Sequence, residues 1–395
     1  MTLDPPLQRE LDALEQRSLR RSLRALPTTG KRVEIDGRRL LNLAGNDYLA
    51  LGQHPRLIDA AQRAIKTYGV GSGASRLVTG SLTVHAQAER DVASLKHADA
   101  GLLLPTGYMA NVAVLGALAG PGDLVCQDKL NHASLIDSAA QCGAAVRTYP
   151  HLQTTKLERL LSHHAKASPQ HRRFIVTDSV FSMDGDAAEL PALCDLADRY
   201  DAVLVVDEAH GTGILGETGA GLAELQGVAR RVYQCGAGGV VVSTASKALG
   251  GMGGIITGSQ AVIDTMVNRA RPLLYSTAIA PAQAAALSAA VALVRDEPGR
   301  RGHLTVLCRL ARRRLIGMGW PGLDSAVATP ILPLIVGHAD RALALSRRLE
   351  DAGVLGVAIR PPTVAPGSSR VRLTLRADLE EQELIDALDT IGPPR

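Results

Sequence analysis

Aromatic side chains are scarce in this 395-residue chain: two Phe, one Trp and seven Tyr amount to 3% of it. The core must therefore be built from Ala, Val, Leu and Ile, and the scarcity argues against a surface of stacked rings for single-stranded nucleic acid. Cysteine is sparse as well. Cys126, Cys142, Cys194, Cys235 and Cys308 are scattered, odd in number and lack any C-x-x-C pair, which argues against a zinc site or a disulfide framework and fits a reducing cytoplasm. No metal ligand set is expected. Charge of one sign is also lacking, with a net +4, and much of the excess lies in "RSLRRSLRALPTTGKR" between Arg17 and Arg32. That segment could meet nucleic acid or a membrane, but it reads more simply as a solvated helix.

The opening stretch "MTLDPPLQRELDALEQRSLRR" is charged throughout and is not expected to act as a secretory leader. Two uncharged runs, Ala100 to Gly122 and Pro272 to Val294, are long enough to span a bilayer. The first is broken by Pro105, Gly107, Asn111 and Gly116, the second by Tyr275, Ser276, Thr277 and Pro281, so each reads as a strand or loop feeding a buried helix. Neither a membrane nor a nucleic acid is an expected partner. With 46% hydrophobic and 21% charged residues, the rest is ordinary for a globular enzyme with more than one domain.

From about residue 70 short apolar runs alternate with helical stretches, the pattern of a largely parallel sheet covered on both faces. The strand candidates are "GLLL" at 101, "DLVCQD" at 123, "RFIVTD" at 173, "AVLVVD" at 202, "GVVVST" at 239 and "GIITGS" at 254. Helix candidates include "TGYMANVAVLGALA" and "TTKLERLLSHH"; the latter carries Thr155 and Glu158 at the spacing of a capping box. Asp178, Asp207 and Thr244 end their strands, and in open α/β sheets the carboxyl ends of strands form the ligand crevice. After residue 294 the pattern becomes helix, strand, helix, strand, an α+β arrangement. The expected layout is an N-terminal helical and β segment over 1–45, a large domain over 46–294 and a small one over 295–395.

"VVDEAHGTG" raises an ATP-driven helicase, whose second motif carries the letters DEAH. Such an enzyme also needs G-x-x-x-x-G-K-[ST] upstream. The only Gly-Lys pair is Gly30-Lys31, followed by Arg32 and preceded at the first glycine position by Ala25, so the cradle fails twice. "YGVGSGASR" follows no clear strand and misplaces the third glycine of a dinucleotide fingerprint. The residues fit another chemistry. An aspartate at a strand tip can hold a proton on a pyridine nitrogen, and a lysine such as Lys247, beyond the next strand, can carry an aldehyde; together they are what pyridoxal phosphate enzymes need. Ser243, Thr244 and Ser246 could hold the phosphate.

A run of motifs in order resembles the α-oxoamine synthases, fold-type-I pyridoxal 5'-phosphate enzymes: "NDYLALGQHP" at 46, "GSGASRLVTGSLTVHAQAE" at 71, "TGYMAN" at 106, "NHASLIDS" at 131, "TDSVFSMDGD" at 177, "VDEAHGTGILGETGAG" at 206, "STASKALGG" at 243 and "RPPTV" at 360. The resemblance implies a large domain with a mostly parallel seven-stranded sheet and a smaller α+β C-terminal domain. It also implies that Lys247 binds the cofactor aldehyde, Asp207 pairs with the ring nitrogen, His210 bonds the ring oxygen with Ser179 beside it, and His132 stacks on the ring. Gly107, Tyr108 and Thr244 would hold the phosphate, with Ser276 and Thr277 reaching that of a neighbouring subunit in a homodimer. Substrate contacts would come from Arg21, Asn46, His132, Thr363 and Arg372, with Arg20 competing for the place of Arg21 in "SLRRSLR".

"IRPPTV" resembles the members that join L-alanine to a pimeloyl thioester in biotin assembly, with sister synthases such as glycine C-acetyltransferase as the alternative. The acyl group could arrive on coenzyme A or on an acyl carrier protein. Two departures stand out: Ala365-Pro366 where proline usually follows the valine, and Thr106 where serine is usual. Glu208 has no assigned role.

Overall fold

The computed structural model describes residues 3–394. By internal contacts the chain divides into two compact units, one of Asp47–Ser182 with Asp186–Gly302, the other of the residues through Asn46, Met183–Gly185 and His303 onward.

The larger unit is built on a seven-stranded sheet. Its strands, in chain order, are β1 Ala100–Leu104, β2 Leu124–Asp128, β3 Ala145–Tyr149, β4 Arg173–Asp178, β5 Ala202–Asp207, β6 Gly239–Thr244 and β7 Gly254–Gly258. Across the sheet they lie in the order β1-β7-β6-β5-β4-β2-β3. Every neighbouring pair among β2 to β6 is parallel, while β7 runs against both β6 and β1. The central strands are continuous apolar runs buried along their whole length, as strands covered by helices on both faces must be. β3 was not singled out from the sequence. It is the edge strand, its "AVRTY" is largely exposed, and it therefore lacks the apolar run that marks its neighbours.

The helix Gly107–Leu118 packs on this sheet through Ala110, Ala113, Val114, Leu115 and Ala117, against Leu102, Val125, Phe174, Val205, Val240 and Ile256. Four small or β-branched positions on one helix let it sit close to the strands. The uncharged runs resolve into β1 with this helix, and into the helices Arg271–Leu274 and Pro281–Asp296. Among the described residues no helix is long and apolar enough to cross a membrane.

The capping box expected at Thr155 does not form. The helix begins at Thr154 with Gln153 as its N-cap and no side-chain cap bond. Glu158 is drawn away to the other side, where it accepts from Arg199 and from the Tyr200 hydroxyl.

The smaller unit holds two three-stranded sheets. In one, Ser369–Thr374 lies between Ile331–Gly337 and Val357–Ile359, antiparallel to both. In the other, Arg32–Ile35 and Arg38–Asn42 form a hairpin that adds Val354–Leu355 in parallel. Its two-residue turn is Asp36-Gly37, both at positive φ (49° and 73°), the backbone that an Asp-Gly pair adopts at little cost. The basic segment after Arg17 is not the helix expected of it. From Leu19 to Leu26 it takes no regular structure, because the Arg360 guanidinium occupies the carbonyls of Ser18 and Arg20 that a helix would use, and Arg21 donates in return to the carbonyls of Arg360 and Pro361.

Candidate active site

In the larger unit, the carboxyl ends of β4, β5 and β6 are adjacent in the sheet and deliver Asp178, Asp207 and Thr244 to the rim of one cavity of about 220 Å³. Its lining also includes Gly107, Tyr108, Asn111, His132, Ser134, His210, Ser246 and Lys247. Parallel strands put their tips on one edge, so residues far apart in sequence gather where helices begin.

Asp207 is buried, and each oxygen has a fixed donor: Oδ1 takes the Ala209 N–H at 2.8 Å and Oδ2 takes Asn111 Nδ2 at 2.6 Å. Two donors fix the orientation of its side chain in the cavity wall. His210, on the turn after β5, is buried with Nδ1 2.7 Å from the Tyr48 hydroxyl. Asp178 accepts the backbone N–H of His132 at 2.6 Å. Burial first, and then the charge of Asp207, push the Asp178 carboxyl well above the ordinary carboxylate range.

At the other end the helix Gly107–Leu118 opens with Thr106 as N-cap, its hydroxyl accepting from the Met109 N–H at 3.2 Å. A Cβ added at Gly107 would lie 3.4 Å from Thr244 Cβ, so the helix start and the tip of β6 are in contact. Thr244 Oγ1 lies 2.7 Å from Ser246 Oγ. N–H groups of a first helical turn with two hydroxyls beside them form a receptor for an anion. Lys247 sits half-buried on the loop between β6 and β7, a hairpin closed by Ala245 N–H to Gly253 O at 2.9 Å and Gly251 N–H to Ala245 O at 2.9 Å.

His132 caps the helix Ala133–Gln141 and lines the cavity with part of its ring open to solvent. Desolvation by the walls lowers its pKa below the ordinary histidine value, and the Lys247 charge acts in the same sense, against Asp207 and Asp137. Tyr108 is exposed and donates to Asp137, a bond that raises its pKa.

Other expected residues lie elsewhere. Ser179 is fully buried and absent from the lining; its Oγ lies 3.4 Å from Glu208 Oε2. Ser276 and Thr277 are outside the lining too, and the Ser276 hydroxyl donates to the Pro272 carbonyl. Arg21, Asn46, Thr363 and Arg372 belong to the smaller unit. There Arg372 is buried in Ser369–Thr374 and directs both terminal nitrogens at Asn46 Oδ1, each at 3.2 Å. Thr363 is exposed in the turn that its own N–H closes to the Arg360 carbonyl at 3.1 Å. Arg20 reaches only toward Glu15, at 3.9 Å.

Glu208 acquires a role. It is fully buried and its two oxygens accept the N–H groups of Leu222 and Ala223, both at 2.9 Å, which tethers the far end of the 209–221 loop beneath His210. Sequence reasoning missed Asn111, Ser134 and Tyr48, although all three lie inside the motifs quoted above. Among the described residues no cluster of three or more His, Cys, Asp or Glu is arranged for a metal.

The family model for class I and II aminotransferases matches residues 38–391. The chain belongs to the class I and II aminotransferase family. Within this family it is similar to a protein described as a putative 8-amino-7-oxononanoate synthase of Geobacillus kaustophilus (strain HTA426), 43% identical over 97% of this chain and 96% of that protein. It is likewise similar to the 8-amino-7-oxononanoate synthase of Anaeromyxobacter dehalogenans (strain 2CP-1 / ATCC BAA-258), 45% identical over 93% of this chain and 90% of the other. Among solved structures, the serine palmitoyltransferase of Sphingomonas wittichii superposes with a TM-score of 0.89 at 26% identity, covering 98% of this chain and 96% of that one.

Proposed function

We propose that this aminotransferase-family protein is a pyridoxal-phosphate-dependent acyltransferase that condenses L-alanine with a pimeloyl thioester, releasing carbon dioxide and free thiol and giving 8-amino-7-oxononanoate for biotin biosynthesis. The observation that carries the reading is the cavity that joins a twice-anchored carboxylate, a lysine and a helix N-terminus with adjoining hydroxyls. This donor set fits the cofactor. Asn111 Oδ1, buried and without a hydrogen-bond partner among the described residues, leaves polar capacity in the wall for a bound polar group.

When bound, pyridoxal phosphate supplies an electron sink for the charge left as the amino acid loses its Cα proton. Each residue then has a job of its own. Asp207 is assigned to hold a proton on the ring nitrogen, and its two donors fix the direction in which it points. The N–H groups at Gly107 and Tyr108, with Thr244, take the phosphate. His210, oriented by Tyr48, is assigned to the ring oxygen, with Ser179 in the layer behind it. Lys247 moves the proton at Cα, its amine acting as general base. Arg372 is assigned to the alanine carboxylate, which a guanidinium matches in a two-pronged geometry, and Asn46 keeps its fork in plane. His132 closes one face of the ring and meets the substrate, while Thr363 and Arg21 are assigned to the acyl substrate.

Assembly is part of the proposal. Ser276 and Thr277, which do not line their own chain's cavity, are assigned to the phosphate of a partner in a homodimer. The five unpaired cysteines, four of them buried, fit a cytoplasmic enzyme. The basic Arg17–Arg24 segment suits a donor carried by coenzyme A or by an acidic carrier protein.

A panel assay tests the reading: alanine, glycine and serine, each against pimeloyl, acetyl and succinyl thioesters. Alanine with the pimeloyl thioester is expected to give the highest kcat/KM. A preference for glycine with the acetyl thioester would replace the reading with that of a sister synthase.

A further inference from the structure

Hydrogen bonds around His132 run in one direction only. The Ser134 backbone N–H, which can only donate, points at His132 Nδ1 from 3.3 Å. Ser134 Oγ lies 2.7 Å from the same nitrogen. That hydroxyl is itself the acceptor for Asn111 Nδ2 at 2.8 Å. The Asn111 amide cannot be turned round, because its Nδ2 also donates to Asp207 Oδ2 at 2.6 Å, and a carboxylate facing the amide oxygen would be repelled. Ser134 Oγ accepts from Asn111, and because the Ser134 N–H already faces Nδ1 as an obligate donor, Nδ1 is the acceptor and the hydroxyl turns its proton toward it. All three side chains behind the histidine are buried: Asn111 and Ser134 at 1% exposure each, Asp207 at 5%.

We infer that Asn111 and Ser134 are positioning residues that hold His132 in the tautomer with its proton on Nε2, through a chain of hydrogen bonds anchored on Asp207. The direction is fixed from both ends by groups that can only donate, the Asn111 amide nitrogen at Asp207 and the Ser134 N–H at Nδ1. Nδ1 is committed as an acceptor, and Nε2–H is the group His132 offers to the ligand. Protonating Nδ1 would set a new N–H against a hydroxyl proton and an amide proton, so the chain also keeps the ring neutral. The low pKa of His132 agrees in direction. The charged groups that act on the ring are Asp207 on β5, Asp137 on the helix His132 caps, and Lys247 on the β6–β7 loop, while Asp178 on β4, its carboxyl pushed up by burial, accepts the His132 backbone N–H. Two of these charges, Asp207 and Asp137, favour a protonated ring, which makes the opposing donors at Nδ1 consequential.

The inference rests on the proposed function only in saying that His132 meets a ligand; the tautomer itself is a property of the protein. Nitrogen-15 spectra of wild-type holoenzyme labelled at histidine test it directly, with the His132 signals identified by their loss in His132→Gln. An unprotonated Nδ1 and a protonated Nε2 are expected, and the reverse assignment would overturn the proposal whatever the enzyme's substrates. A second arm uses the acid limb of the pH profile of kcat/KM. Ser134→Ala removes the hydroxyl donor, so the limb should move to higher pH; Ser134→Thr, which keeps a hydroxyl, should restore it. Asn111→Ala should shift the limb in the same direction, and adding it to Ser134→Ala should shift it no further, since the two act in series. Active Ser134→Ala enzyme with an unmoved limb, or additive shifts, would show that these residues are only packing.

Discussion

Glu208 takes no part in the proposed chemistry, yet it is the carboxylate whose removal should cost the fold most. It carries the first two N–H groups of Leu222–Leu225, and its charge supports the fully buried Lys96 ammonium, whose pKa desolvation lowers. Glu208→Ala leaves those two donors without their acceptor and removes one of the negative charges that support Lys96, and should destabilise by about 3–5 kcal/mol, with Glu208→Gln recovering part of it, read from the urea midpoint. Lys247→Ala should behave oppositely: stability nearly unchanged, but turnover and the visible absorbance of the purified holoenzyme both lost. Yellow, active protein in that variant would remove Lys247 from its assignment. The difference between these two residues explains what could be read from the letters alone. Lys247 and Asp207 carry chemistry in their side-chain type and their place after strands. Glu208, Asn111 and Ser134 act through partners far along the chain, two of them backbone N–H groups, and no residue pattern encodes a backbone donor.

Elements meet at the cavity under tight steric terms. A Cβ at Gly254 on β7 would lie 2.1 Å from the Thr106 carbonyl oxygen and 2.8 Å from Gly107 N, both backbone atoms that cannot step aside. Gly254→Ala should therefore push the helix start away from β6, weakening cofactor retention on dialysis more than a change on the exposed face of that helix. Another joint is His151, bonded through Nδ1 to Asp128 at 2.9 Å and through Nε2 to Asp186 at 2.8 Å. Burial alone would lower its pKa, but the two carboxylates outweigh it with hydrogen bonds and charge and raise it to about 9. A raised pKa stabilises the fold fully below the unfolded value near 6.5, and that contribution is lost as pH rises through about 9. Thermal melts of wild type and His151→Gln should thus converge over that window. These joints were not legible, whereas the six apolar strands were, because periodicity reports burial and not contact partners. The half-exposed β3 and the unformed cap at Thr155 mark the same limit from the other side.

Assembly should be visible at the scale of the whole molecule. Val70, Val78 and Tyr275 are 80%, 74% and 73% exposed in a single chain, a poor arrangement for a monomer and consistent with the proposed homodimer. Sedimentation should give twice the mass of one chain at assay concentration; a monomer that retains full activity would contradict composite sites. The hairpin Arg32–Ile35 and Arg38–Asn42 finds its third strand in Val354–Leu355, more than 300 residues on, a pairing that no local pattern encodes. That pairing has a consequence during synthesis. The residues of the larger unit leave the ribosome as a complete set by Gly302, and can fold while the rest is still being made. The N-terminal hairpin, emerging first, must wait with an open edge until Leu355 has appeared. These strands, made before the larger unit, are thus completed only after it, and a nascent chain halted between Gly302 and Val354 would carry one finished sheet and one unfinished.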